Sequence, residues 1–171
     1  MKWYFYTLVL GLSVTILLSS CGEQKNKPDA SSKQTPDYVL PGETHFRSLK
    51  MLTEEGENAE AYFSFDEKKL VFQATFADLK CDQIFVMNID GTGKKMVSTG
   101  KGRTTCSFFL PGDTTIIYAS THLASDECPP PPDRSKGYVW QLYDSYDIFM
   151  ADLNGNIIKQ LTNTPGYDAE A

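Results

Sequence analysis

Histidine is scarce in this chain. His45 and His122 are the only two, and no Cys/His spacing matches a zinc site. That scarcity leaves few groups for general base work near neutral pH. Catalytic signatures are missing as well. There is no Gly-x-Ser-x-Gly elbow, and GTGK at 91–94 lacks the spacing between glycines that a phosphate loop needs, so it reads as a hairpin turn. Basic charge is in deficit, with 16 Lys+Arg against 22 Asp+Glu and a formal net charge of -6. Without a basic stripe to neutralise phosphates, no nucleic-acid partner is expected. What remains, 41% hydrophobic and 12% aromatic residues over 171 positions, is the composition of one globular domain rather than of a disordered or fibrous chain. No catalytic residue, metal ligand or cofactor is expected from these residues.

Long apolar runs are confined to the N-terminus. Lys2 followed by the mostly apolar stretch 3–18 reads as a secretion signal, short for a spanning helix. Its end, Leu18-Ser19-Ser20-Cys21, resembles the bacterial lipobox. The resemblance implies that residues 1–20 form a lipoprotein signal peptide and that Cys21 becomes the acylated N-terminus. At ~0.8 kcal/mol per buried CH₂, several acyl chains hold a protein on a membrane essentially permanently. Residues 21–44 carry Lys, Ser and Pro with almost no apolar content, so they are expected to form a flexible linker between lipid and domain.

From residue 45 onward the chain repeats itself. AYFSFDEKKLVF at 61–72 lies over SFFLPGDTTIIY at 107–118, an offset of 46, and IFVMNIDG at 84–91 lies over IFMADLNG at 148–155, an offset of 64. The difference is one insertion. GENAEA at 56–61 returns as GYDAEA at 166–171. Each copy reads as four short strands, in the first at about 59–65, 69–75, 83–89 and 94–98, rich in Val, Ile, Phe and Tyr between turn signals. Asp90-Gly91 and Asn154-Gly155 are hairpin dipeptides, because Gly, Asn and Asp tolerate positive φ. Four strands at this period predict an all-β fold, a β-propeller built of four-stranded antiparallel blades.

Three stretches carry a more specific likeness. LTEEG at 52–56, FSFDEKKLVF at 63–72 and IFVMNIDG at 84–91 resemble the TolB-like WD40-like β-propeller repeat, known from the periplasmic component of the Tol-Pal system. The likeness covers about residues 47–171. The family's usual Ser-Pro-Asp-Gly turn stands here as Ser64-Phe65-Asp66-Glu67 and as Leu110-Pro111-Gly112-Asp113, and a lipobox and linker stand where TolB has an α/β domain. The resemblance therefore implies a TolB-like lipoprotein rather than TolB. Residues 45–171 divide into a first blade at about 54–98, a second at about 99–162 and the start of a third at 163–171. Since propellers take four to eight blades, these two read as part of a longer propeller.

The loops between the second and third strands of each copy share one end of the sheets, and that end is the candidate working face. In the second copy this loop is long, about 121–145, and holds Cys128, Pro129, Pro130, Pro131 and Pro132, then Tyr138, Trp140, Tyr143 and Tyr146. Four prolines favour a stiff polyproline segment, and aromatics beside it are low-entropy anchors for a partner. The alternative is that the aromatics fold back on the sheet edge. Cys81, Cys106 and Cys128 all fall at or near the same face, so one disulfide among them is expected in an oxidising compartment, and the sequence leaves both the pair and the unpaired alternative open.

Two functional classes follow. The first, implied by the TolB resemblance, is a non-enzymatic module that binds envelope proteins, lipid-anchored on the periplasmic face of the outer membrane. The second is a propeller that precedes the catalytic domain of a prolyl-oligopeptidase-like peptidase, or one that binds a glycan.

Overall fold

The computed structural model describes residues 38–170, so the signal segment, Cys21 and the linker up to residue 37 lie outside the described residues. The described residues form eight strands and no helix. β1 (Glu57–Phe63), β2 (Lys69–Thr75), β3 (Gln83–Asn88) and β4 (Lys95–Met96) pair antiparallel in chain order. β5 (Thr104–Phe109), β6 (Thr115–Ser120), β7 (Asp147–Asp152) and β8 (Ile157–Gln160) do the same in a second four-stranded sheet. The element expected at 94–98 is short because only Lys95 and Met96 pair as a strand, although Val97 N still donates to Ile84 O at 2.8 Å.

The repeat in the sequence recurs in the backbone. At the β1–β2 turn Ser64 N donates to Lys69 O and Glu67 takes φ 56°; at the β5–β6 turn Leu110 N donates to Thr115 O and Asp113 takes φ 55°. Asp113 also ties the two turns together, its carboxylate accepting from Phe65 N at 2.7 Å and Asp66 N at 2.9 Å. Behind β3, Ser98 Oγ accepts from Ile84 N at 2.9 Å, and behind β7, Thr162 Oγ1 accepts from Ile148 N at 2.9 Å. β1 and β5 each carry a bulge, between Ala59 and Tyr62 and between Thr105 and Ser107, with Glu60 at φ 51° and Cys106 at φ 46°. An extra residue in one strand bends it and re-aims its side chains.

Side-chain alternation along each strand sends one set of apolar residues between the sheets. Val71, Ile84, Val86 and Val97 of the first sheet meet Phe109, Ile116, Tyr118 and Ala151 of the second. The opposite face of the first sheet, Leu70, Phe72, Phe85 and Met87, is partly covered by Leu52, Phe76 and Leu79 from flanking segments. The opposite face of the second is covered at one end by Ala119, Tyr146 and Ala169, with Tyr143 and Tyr167 packed against them. Segment 166–170 begins to dock there as β5 docks on the first sheet: Thr104 N donates to Asp82 O at 3.0 Å, and Asp168 N donates to Tyr146 O at 3.3 Å. Gln83 joins the sheets through buried polar bonds, donating from Nε2 to Gly102 O at 2.8 Å and accepting from Ser98 Oγ at 2.7 Å.

Candidate functional site

The β2–β3 connection needs only residues 76–82, whereas β6–β7 runs from 121 to 146. This longer connection is a strap held at two points. At its first end Cys128 is disulfide-bonded to Cys81 of the β2–β3 connection, with 6.1 Å between their Cα atoms. Beside that bond Gly102 N donates to Asp126 O at 3.0 Å, and two exposed ion pairs, Lys101–Asp126 at 2.9 Å and Lys80–Glu127 at 3.3 Å, run between the same segments. Such surface pairs add little by themselves. At the other end the Tyr143 hydroxyl donates to Pro130 O at 2.6 Å, and Tyr146 is 4% exposed with its ring 5.6 Å from that of Tyr167.

The aromatics expected to act as a group therefore separate. Tyr138 (76% exposed) and Trp140 (64% exposed) project from the arch, Tyr143 is half-buried, and Tyr146 belongs to the packing beneath. Pro130 and Pro131 are exposed, while Pro129 and Pro132 are half-buried. The cysteines separate too. Cys81 and Cys128 sit together at the loop end, whereas Cys106 occupies the β5 bulge as a half-buried free thiol, with its N–H donating to Gln73 Oε1 at 3.2 Å. Burial pushes the Cys106 thiol above its ordinary range. The repeat hid this, because Cys106 stands at the position of Glu60 and neither residue type announces a positive φ.

Under the arch lies a cleft of about 170 Å³ between the strap and the strand ends of both sheets. Tyr138, Trp140 and Tyr143 wall one side, and Gln73, Asp82, Arg103 and Thr105 line the other. Thr105 Oγ1 donates to Gln73 Oε1 at 3.0 Å, and Thr75 Oγ1 donates to Asp82 Oδ1 at 2.7 Å. Arg103 is different. Its backbone pairs with Thr121, yet among the described residues its guanidinium has no hydrogen-bond or ion-pair partner, and its Nε is buried. Arg134 lies over the Tyr138 ring, 5.7 Å from its centroid, on the outer lip. Burial raises the Tyr146 phenol well above its ordinary range, and the Arg103 charge works against that rise. Sequence reading did not single out Arg103 or Gln73. The available signal was a charge reversal, since Arg103 occupies the repeat position of Glu57.

A serine–histidine contact stands near the strap's origin. His122 Nδ1 is 2.9 Å from Ser120 Oγ, which also accepts from His122 N at 3.2 Å, so the hydroxyl caps a local turn. Ser120 is 1% exposed, closed to any substrate. Burial lowers the His122 imidazole from its ordinary range, with Lys101 adding to the effect while Asp126 and Asp147 oppose it. Among the described residues no cluster of three or more His, Cys, Asp or Glu side chains could hold a metal ion, and no helix is long and apolar enough to cross a membrane. No protein-family model, curated protein or solved structure matches the chain.

Proposed function

We propose that this chain is an envelope lipoprotein, tethered through Cys21 and its linker, whose two sheets are successive blades of a TolB-like β-propeller and whose strap holds a partner protein. The observation that carries the reading is the fastening of the strap: a disulfide at Cys128 and the Tyr143–Pro130 bond hold an arch on which Tyr138 and Trp140 remain exposed. Rigid aromatics held out on a scaffold lose little entropy on binding. Recurrence of turns, bulges and inter-strand bonds between the sheets supports the propeller. The Cys81–Cys128 bond suits an oxidising compartment such as the periplasm. We read the module as one that binds rather than catalyses, since the strap offers stacking and hydrogen-bonding groups on its exposed side.

The test replaces residues 129–141 by a short Gly-Ser linker and leaves Cys128 and Tyr143 in place. Shortening a loop changes its closure entropy little, only ~0.6 kcal/mol per doubling of length. The variant is expected to keep its β circular-dichroism signature and melting temperature while losing the envelope protein that the unaltered chain retains on a column. Undiminished capture overturns the reading.

A further inference from the structure

The Arg103 guanidinium presents five N–H donors, none of them used, at the base of a cleft whose opposite wall is aromatic. Gln73, which also lines the cleft, has its Oε1 engaged by Thr105 Oγ1 and Cys106 N, which fixes the amide and leaves Nε2 without a partner among the described residues. Arg103 Nε is the buried member of this set, and a buried donor is ordinarily satisfied, while an unpaired cation in a half-buried site favours an anion beside it. The remaining charges set the valence. Arg103 and Arg134 against Asp82 leave the lining one positive charge in excess, on a chain whose formal net charge is -6. A monoanion is balanced there, whereas a dianion adds repulsion from Asp82. Size sets the rest. At about 170 Å³ the cleft is close to an engineered cavity of ~150 Å³ that accepts benzene, so it admits one ring or one residue.

From this geometry we infer that the cleft binds an organic carboxylate carried on a flat apolar body of about one residue, the carboxylate on Arg103 and Gln73 and the body against Tyr138 and Tyr143. This deepens the reading of the strap as a recognition surface and rests on it. Two sources supply such a group: the terminal residue of a partner chain, or a free small acid. Planar pairing of guanidinium with carboxylate gives two parallel charge-assisted bonds, and an amide of the same shape cannot reproduce them.

The experiment uses the processed chain beginning at Cys21, which has lost Trp3 with residues 1–20, so that Trp140 on the cleft wall is the sole tryptophan and reports occupancy by its fluorescence. N-acetylphenylalanine is titrated against its carboxamide and against phenyl phosphate. The acid is expected to bind at least about tenfold more tightly than the amide, and more tightly than the phosphate. Arg103→Gln should reduce affinity for the acid by a similar factor and that for the amide much less, so that the preference for acid over amide is lost. Equal affinities for acid and amide, tighter binding of the phosphate, or an acid affinity that survives Arg103→Gln overturns the inference; the acid–amide comparison needs no variant and holds even if Arg103→Gln folds poorly. Acid binding that depends on Arg103 supports the inference under either source. Loss of envelope capture in Arg103→Gln then assigns the carboxylate to a partner's chain end, and retained capture assigns it to a free acid. Failure of the strap reading is seen separately, as capture that persists when 129–141 are replaced.

Discussion

The Tyr118 ring is fully buried between the sheets, 6.4 Å from the Phe149 ring, yet its hydroxyl finds no hydrogen-bond partner. Burial pushes that phenol up to about 12. Ring and hydroxyl thus act in opposite directions, the first by removing apolar surface from water and the second by losing its water bonds without replacement. Tyr118→Phe is expected to stabilise the chain by about 1 kcal/mol, and Tyr118→Ala to cost ~3–5 kcal/mol. Chemical denaturation of both variants checks the pair. A loss on Tyr118→Phe would mean that the hydroxyl has a partner, such as an ordered water. Phe72 stands at the same point of the repeat and is 2% exposed, although it packs on the face of the first sheet turned away from the second.

Between elements the Cys81–Cys128 bond links a connection of the first sheet to the strap of the second across a sequence separation of 47. Closing a loop of that length in the unfolded chain is worth about 4 kcal/mol on the chain-entropy account. Reduction, or Cys81→Ala with Cys128→Ala, is therefore expected to lower the melting temperature on the order of 10 °C, while Cys106→Ser, which breaks no bridge, should move it far less. The strands themselves were legible in the sequence, because β2, β3, β6 and β7 alternate or concentrate apolar residues between turns that Gly and Asp mark. The bulges were not. Glu60 and Cys106 take positive φ without the glycine that usually signals it, since the pairing on either side forces the extra residue out of the ladder. The long loop was legible as an insertion, but its fastening was not, because Cys128 lies within the insertion, where the repeat offers no equivalent position, and Ser145 stands at the repeat position of Cys81. Nor was the cleft, which depends on Arg103 at a strand entrance and aromatics more than thirty residues later meeting in space.

At the scale of the whole molecule, equivalent positions meet different surroundings. Val86 is 7% exposed because the second sheet covers it, whereas Met150, its counterpart in the repeat, is only half-buried because its face of the second sheet is open there. Val86→Lys should abolish cooperative folding, as it places an unpaired charge in the inter-sheet core. Met150→Lys should leave the melting temperature within a few degrees and reduce concentration-dependent light scattering, since it puts charge on an apolar face that promotes association. Equal damage from both would show that a third layer covers Met150. The same stacking gives the disulfide a mechanical role. A pull entering through the linker and leaving beyond β8 passes across the Cys81–Cys128 bond, so the 47-residue separation between them is shunted out of the tension path. At ~3.4 Å per residue, roughly 160 Å of contour length stays in reserve until that bond is reduced. The joint on which the strap rests is thus covalently inextensible, while the turns outside it bear the load and yield first.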